Sequence, residues 1–244
     1  MARPQGTDLI IVVPGFGGDA EGTRHMLAWG EDIAHLGFDV RVADYICRRG
    51  VECSRDRLSE QIDAMRPETY ARVHVFAYIA GTWSTNELLE VRDIPNLTSI
   101  VYDRSPSQER APAAVVSRIR PFVWLGKGHV VADLAKWPYP PLVAEPRPAV
   151  GILVETRVTT MIRMFKRAAL KPGPFSYDPA DLGEPYDDLM YTPLNHHQMY
   201  LNFHIIGPEL VHFFQHGRFS DEAARERGPG DPFDRYEPPP PDGA

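Results

Sequence analysis

The chain has 244 residues, 43% of them hydrophobic, which is enough for one large domain with a sizeable core. Its formal net charge of -7 argues against the general electrostatic attraction that draws basic proteins to nucleic acid or anionic membranes, so a neutral or apolar partner fits better. No apolar run is long enough to span a bilayer, and the short polar N-terminus contains no apolar stretch of signal-peptide length. These features predict a cytoplasmic protein.

Short apolar runs alternate with helical patterns along most of the chain. The first run, at 9–13, has no polar alternation and predicts a strand buried on both faces. Further strands are predicted at 40–43, 73–78, 99–102, 151–154 and 189–191. Helices are predicted at 23–36 before Gly37, from Ser54 to Pro67, at 84–90, and from Pro208 to Gly217. This alternation predicts an α/β fold, with a doubly wound, mostly parallel sheet and helices on both faces.

Two regions depart from this rhythm. Residues 104–149 form a long excursion between neighbouring strands, with two helix-like stretches and the sequence Trp-Pro-Tyr-Pro-Pro at 137–141. The excursion is too long for a plain connection, so we predict a lid-type insertion. The alternative is that its aromatic residues only cover the helices of the sheet as part of the core. After Phe219 the chain is rich in proline, glycine and charge. We therefore predict a single domain at 1–219 and a disordered tail at 220–244.

The residue types that bind metals or form disulfides are sparse. Cys47 and Cys53 are too few for a disulfide framework, and their spacing matches neither a zinc knuckle nor a redox pair, which predicts two ordinary loop cysteines in a reducing compartment. His212 and His216 stand four residues apart, a spacing that can bind zinc, but a third ligand is not evident. The sequence predicts no metal and no cofactor.

A glycine-rich turn follows the first predicted strand, since residues 14–18 read Pro-Gly-Phe-Gly-Gly. Glycines let the backbone approach a ligand closely, and free amides in such a turn can hold a developing oxyanion. The turn lacks the Lys-Ser/Thr pair of a P-loop and the spacing of a dinucleotide fingerprint, so a phosphate site is not favoured.

The segment after the third predicted strand, Ala-Tyr-Ile-Ala-Gly-Thr at 77–82, resembles the nucleophile elbow of the α/β-hydrolase family. That elbow reads Gly-x-Ser-x-Gly on a tight strand-to-helix turn. Ala77 stands for the first glycine, Gly81 for the second, and Ile79 for the serine. An isoleucine side chain has no lone pair and no acidic proton, which excludes acyl-enzyme chemistry at Ile79. A β-branched residue would also be strained in the positive-φ conformation that an elbow imposes.

The same resemblance implies where a ligand and the other catalytic groups would lie. It makes the Phe16 amide the candidate oxyanion donor, and it places a lid at the insertion point 104–149. The ligand-binding residues that it implies are Gly15, Phe16, Gly17, Tyr78 and Ala80.

The sequence Asn-His-His-Gln-Met-Tyr at 195–200, followed by an apolar helix, resembles the family's last segment, where the catalytic histidine precedes the final helix. His196 is the first candidate for that position and His197 the second. The family's acid follows the strand before this loop, and the turn Tyr-Asp-Pro at 177–179 makes Asp178 the favoured residue. Three other aspartates remain alternatives: Asp103, Asp187 and Asp188.

Hydroxyl groups near the elbow are interpreted as capping or turn residues, because the triad geometry requires the nucleophile to lie in line with the oxyanion amides. The residues concerned are Thr82, Ser84, Ser105 and Ser107. We therefore expect a non-hydrolytic α/β-hydrolase relative, a pseudoenzyme that binds a small apolar or acyl-bearing molecule or a protein partner. The alternatives are an enzyme that uses a histidine general base without a serine, and an ester hydrolase with a displaced hydroxyl. A homo-oligomer is left open.

Overall fold

The computed structural model describes residues 7–15, 20–113, 129–135, 141–183 and 185–240. A six-stranded sheet forms the centre of this part of the chain. Its strands are β1 (Asp8–Val13), β2 (Phe38–Val42), β3 (Val73–Tyr78), β4 (Leu97–Arg104), β5 (Ala149–Glu155) and β6 (Asp188–Thr192). Their order is β2-β1-β3-β4-β5-β6, and every neighbouring pair runs parallel.

Helices cover both faces of the sheet, as parallel strands with buried faces require. They are α1 (Ala20–Ile33), α2 (Val51–Met65), α3 (Ala80–Val91), α4 (Val130–Leu134), α5 (Thr160–Met164), α6 (Lys166–Ala169), α7 (His196–Met199) and α8 (Phe203–His216). Apolar side chains of α1 and α8 pack on one face, and those of α2 and α3 pack on the other. The predicted doubly wound architecture is confirmed.

Each predicted strand is present, and β3 has the predicted bounds. All four predicted helix starts lie downstream of the observed ones, and two of them rested on a terminal residue that the structure places inside the helix. Helix α2 begins at Val51, and the buried Ser54 lies inside its first turn, where its hydroxyl contacts the Cys47 amide and the Gly50 carbonyl. Helix α8 begins at Phe203 and continues through Pro208, because Phe203 and Ile206 bury their side chains in the core and extend the helix upstream.

Helix α8 packs tightly at two glycines. A Cβ atom at Gly207 would lie 2.5 Å from the Trp29 indole of α1, and one at Gly151 of β5 would lie 2.6 Å from the Phe213 ring. Neither position has room for a side chain, so α8 is held closely against both α1 and the sheet.

The prediction of two ordinary loop cysteines is wrong. Cys47 and Cys53 form a disulfide across the turn that leads into α2. Helix α4, which belongs to the predicted insertion, packs on this turn: the His129 amide donates to the Arg48 carbonyl at 2.8 Å, and Val130 joins a small apolar cluster. Most of the predicted lid, residues 114–128 and 136–140, lies outside the described residues.

Residues 220–240 pack along the domain, which contradicts the predicted disorder of this part of the tail. The Tyr191 amide on edge strand β6 donates to the Ala224 carbonyl at 2.8 Å, and Arg225 pairs with Asp188. Composition suggested disorder because the segment has little apolar surface of its own. The segment instead supplies hydrogen-bond partners to an edge strand and to arginines of the domain.

Candidate functional site

The turn from β3 into α3 has the backbone of a strained elbow. Ile79 lies at its apex with φ 36° and ψ -91°, a conformation that is an outlier for a β-branched residue. The Ile79 amide donates to the Asp103 carbonyl of β4 at 3.1 Å, and the Ile79 carbonyl accepts from the Trp83 amide at 3.2 Å. Both bonds hold the strained residue in place.

The neighbours of Ile79 make room for the sharp turn. A Cβ atom at Gly81 would lie 2.1 Å from the Val13 carbonyl oxygen of β1, so only glycine allows α3 to start this close to the sheet. The buried Thr82 hydroxyl donates to the Ala77 carbonyl at 3.1 Å. The expected small-residue pattern around an elbow is present, with an alkyl side chain at its apex.

The glycine-rich turn after β1 lies next to the elbow. The Gly15 amide donates to the Tyr200 hydroxyl at 3.2 Å, and the Tyr45 hydroxyl donates to the Pro14 carbonyl at 2.7 Å. A side chain at Gly15 would contact the Tyr78 carbonyl at 3.6 Å, which places this turn against the end of β3. Phe16 and Gly17, which were predicted to bind ligand, lie outside the described residues.

His196 forms a pair with a glutamate at the end of β5. Its Nδ1 lies 3.1 Å from Oε1 of Glu155, whose side chain is completely buried. Helix α7 presents His196 because Asn195 caps it in a capping box with Gln198. With Nδ1 directed to the carboxyl group, Nε2 is the ring nitrogen that remains for a ligand, which is the orientation that a carboxylate gives to a catalytic imidazole.

A second buried carboxyl group, Asp103 near the end of β4, lies beside Glu155 on the neighbouring strand. Burial, and then the charge of Glu155, raises the pKa of Asp103 well above its usual range. Burial also raises the pKa of Glu155 to about 8. Among the described side chains, neither oxygen of Asp103 has a hydrogen-bond donor, and Oε2 of Glu155 has none. Two adjacent carboxyl groups in such surroundings retain a proton at neutral pH.

Burial lowers the pKa of His196 to about 4, so its imidazole is neutral at pH 7. The ring of Tyr200 lies edge-on to this imidazole, with ring centres 6.2 Å apart, and also stacks at a tilt on Tyr78 at 4.5 Å. Tyr200 therefore connects the His196 side of the site to the Gly15 turn. The arrangement contains a neutral imidazole, a protonated carboxyl pair and a phenol, groups that can donate or accept hydrogen bonds and transfer a proton.

The structure brings some of the predicted residues together and separates others. Tyr78, Ile79 and Ala80 lie at the elbow, and His197 is exposed next to His196, with ring centres 4.4 Å apart. Asp178 does not take the acid position: it is exposed, and its carboxylate accepts from the Ala180 amide at the start of a short 3-10 turn.

The alternative acids Asp187 and Asp188 lie at the amino end of β6, opposite the edge of the sheet that carries His196. Asp187 accepts from Arg147, and Asp188 accepts from the Phe219 amide. Both carboxylates stabilise the packing of neighbouring segments, and neither reaches the histidines.

Sequence reasoning missed Glu155 and Tyr200. Glu155 directly follows the predicted strand at 151–154, one strand before the strand that leads into the histidine loop, so the end of that strand was a usable signal. The Asp-Pro turn led to the choice of Asp178 in place of Glu155. Tyr200 was part of the quoted histidine motif, but only the structure shows its contact with Gly15.

The hydroxyl groups of Ser105 and Ser107 lie beside each other after β4. Ser105 is fully buried, its hydroxyl lies 3.0 Å from that of Ser107, and it interacts with Glu155. In the described part of the chain, no hydrogen bond joins Ser105 to His196. The described residues also contain no group of three or more His, Cys, Asp or Glu placed to hold a metal ion.

No protein-family model and no curated protein matches this chain. Solved structures do match it over most of its length. Est1E from Butyrivibrio proteoclasticus has a TM-score of 0.52 at 16% identity, covering 87% of this chain and 88% of its own. MGS-MChE2, an alpha/beta hydrolase enzyme from a sediment metagenome of the Mar Chica lagoon in Morocco, has a TM-score of 0.54 at 13% identity, covering 86% and 91%.

A third similar structure is the mature lipase BlEst2 of Bacillus licheniformis, with a TM-score of 0.52 at 12% identity over 85% of this chain and 93% of its own. The chain has the α/β-hydrolase fold. At these identities the likeness establishes the fold alone, because one fold can carry many chemistries. Within the described α/β-hydrolase core, no helix is both long and apolar enough to cross a membrane.

Proposed function

We propose that this protein is a non-hydrolytic α/β-hydrolase relative that binds a small apolar or acyl-bearing molecule. The observation that carries the proposal is Ile79 at the apex of the elbow, where its φ of 36° is the strained geometry in which the fold presents a nucleophile. An alkyl group there can contact a ligand but cannot form an acyl-enzyme. A protein partner remains the other candidate for the bound species.

The retained Glu155–His196 pair supports a site that still recognises polar groups of a ligand. Nδ1 of His196 is directed to Glu155, and Nε2 is left as the second ring nitrogen. The Tyr200 phenol, hydrogen-bonded to Gly15, occupies space next to the turn that would hold an oxyanion in an active relative. Such a site favours binding over turnover.

Replacing Ile79 by serine tests the proposal. The wild-type protein is expected to remain unlabelled by a fluorophosphonate probe and to leave short-chain nitrophenyl esters unhydrolysed. Ile79→Ser is expected to gain covalent labelling, and the double variant Ile79→Ser/His196→Ala is expected to lose most of it. Ester turnover by the wild type at a rate no lower than that of Ile79→Ser would contradict the proposal.

A second candidate function, proton transfer by His196 without a serine, is favoured by one observation. Nδ1 of His196 lies 3.1 Å from the Glu155 carboxyl group, which leaves Nε2 as the ring nitrogen that would accept a proton. This candidate predicts His196-dependent exchange of solvent deuterium at the α-carbon of short ketones. Equal deuterium exchange by the wild type and His196→Ala would contradict this second function.

The predicted cytoplasmic location stays a prediction. The cysteine count no longer supports it, because the Cys47–Cys53 disulfide is of a kind that persists mainly in oxidising compartments.

A further inference from the structure

A cavity of about 620 Å³ opens beside the histidine loop. Its walls are the turn after β5, helix α5, the start of helix α7, and the C-terminal segment at 235–237. His197 contributes to the lining, so the cavity lies next to the Glu155–His196 pair, at the carboxyl ends of β5 and β6. Ligands of open α/β sheets bind at this edge.

The lining of the cavity is basic, although the whole chain is acidic. The lining contains three arginines and one carboxylate: Arg157, Arg163, Arg235 and Glu237. The chain as a whole has a formal net charge of -7. Two more carboxylates lie nearby: Asp234 is 3.8 Å from Arg157, and Asp231 is 3.7 Å from Lys166. With Lys166 included, four cationic side chains stand against these three carboxylates.

The arginines retain donors for a ligand. Arg157 donates to the carbonyls of Pro229 and Asp231, and Arg163 donates to those of Phe233 and Asp234. These partners are uncharged backbone groups, and a guanidinium carries five N–H donors. Nε of Arg157 is buried and has no hydrogen-bond partner among the described residues.

Arg235 is the most available of the three arginines. It is exposed, and within the described chain it has no ion-pair or hydrogen-bond partner. Apolar surface from Met161 and Tyr236 lines the same cavity. Guanidinium groups beside apolar surface suit a molecule with an anionic head and an apolar body.

We propose that this cavity binds an organic carboxylate, with its head group at Arg157, Arg163 and Arg235 and its apolar part against Met161 and Tyr236. The inference deepens the proposed function and rests on it, because it names the chemical class of the bound molecule. Neither the elbow nor the oxyanion turn is required for this binding.

Isothermal titration with octanoate as the probe tests this inference. Octanoate is expected to bind the full-length wild-type protein, and the uncharged octanamide is expected to bind far more weakly. Arg235→Gln is expected to weaken octanoate binding roughly fivefold to tenfold, because it removes a charge-assisted contact. The matched control is Arg218→Gln, another exposed arginine outside the cavity, which is expected to bind octanoate as the wild type does.

Three results would overturn the carboxylate site: no heat of binding with octanoate, equal affinity for octanamide, or tighter binding of inorganic phosphate than of octanoate. Equal octanoate affinity in Arg235→Gln and Arg218→Gln would do the same. The Ile79→Ser labelling experiment is independent of these titrations. Octanoate binding by a wild type that hydrolyses esters would leave the carboxylate site standing and remove the non-hydrolytic function.

Discussion

Ile79 combines a β-branched side chain with a positive φ, two features that ordinarily exclude each other. The surrounding contacts explain why the combination persists. The Ile79 amide is bound by β4, and Gly81 brings the following helix against β1. The strain is local, and the packed sheet around it keeps the backbone in this geometry.

Replacing Ile79 by glycine and by alanine separates strain from packing. Both variants lose the isoleucine side chain, but only alanine keeps a Cβ atom in the positive-φ conformation. Ile79→Gly is therefore expected to have a free energy of unfolding about 1–2 kcal/mol higher than Ile79→Ala, opposite to the usual ranking in a helix or strand. Urea denaturation measures the difference. An alanine variant at least as stable as the glycine variant would show that the turn carries no strain.

At the scale of single residues, sequence reasoning located the elbow because Ala77, Ile79 and Gly81 occupy fixed positions in a short motif. It chose the wrong acid because the partner of His196 is determined by strand adjacency. Glu155 meets His196 only when β5 and β6 are neighbours in the sheet. Phe16 and Gly17 stay predictions.

At the scale of elements, the apolar runs were sufficient to predict all six strands, because buried parallel strands need no other signal. Helix starts were less predictable. Gly50 precedes α2 without a side-chain cap, and α8 begins five residues before Pro208 because apolar side chains in its first turns are buried. Tertiary packing decided both boundaries, and local capping preferences did not.

The Cys47–Cys53 disulfide closes the end of the loop between β2 and α2, and helix α4 packs against this region. The double variant Cys47→Ser/Cys53→Ser is expected to lower the free energy of unfolding by about 2 kcal/mol, since the bond closes a short loop in the unfolded chain. Urea denaturation with and without reductant measures this.

Reductant is expected to destabilise the wild type by a similar amount and to leave the double variant unchanged. Two titratable thiols in the denatured, unreduced wild-type protein would show that the bond does not form.

At the scale of the whole molecule, residues 229–234 wrap around Arg157 and Arg163. Gly230 lies over the Arg157 guanidinium with φ 119°, and a Cβ atom there would lie 2.7 Å from the Arg157 Nη2 atom. Gly230→Ala is expected to release this segment locally and to speed limited proteolysis within it roughly tenfold, as strain of 1–2 kcal/mol implies.

Gly228→Ala is the matched control for that experiment, because a Cβ atom at Gly228 meets open space. Cleavage of the two variants at the same rate would show that the segment is not held by its passage over Arg157.

The buried titratable groups predict that stability decreases above pH 6.5. Burial lowers the pKa values of His74 and His196 to about 4, so the unfolded chain binds protons first and the stability that these two histidines contribute falls as the pH drops from 6.5 to 4. Burial raises the pKa of Glu155 to about 8, so the folded state holds a proton that the unfolded chain releases near pH 4.5. The stability that Glu155 contributes therefore falls from pH 4.5 to pH 8, and Asp103, whose pKa burial also raises, acts in the same direction. Above pH 6.5 the two histidines are neutral in both states and no longer oppose this fall, so the net stability decreases.

The part of this fall that Glu155 contributes between pH 6.5 and 8 is expected to reach up to roughly 2 kcal/mol, since one pKa unit corresponds to about 1.4 kcal/mol. Thermal unfolding across this range measures it. The isosteric double variant Asp103→Asn/Glu155→Gln is expected to lose the decrease, and Glu90→Gln, at an exposed carboxylate, is expected to keep it. A decrease of equal size in both variants would assign it to other groups.

The two glycine contacts of α8 limit how the molecule can respond to a bound ligand. With Gly207 against Trp29 and Gly151 beneath Phe213, the last helix has no clearance to slide or roll. Any adjustment that accompanies ligand entry would then fall on α7 upstream of this helix and on the segment after Gly217. Helix α8 would then stay in place, and the histidines and the C-terminal wall of the cavity would move relative to it.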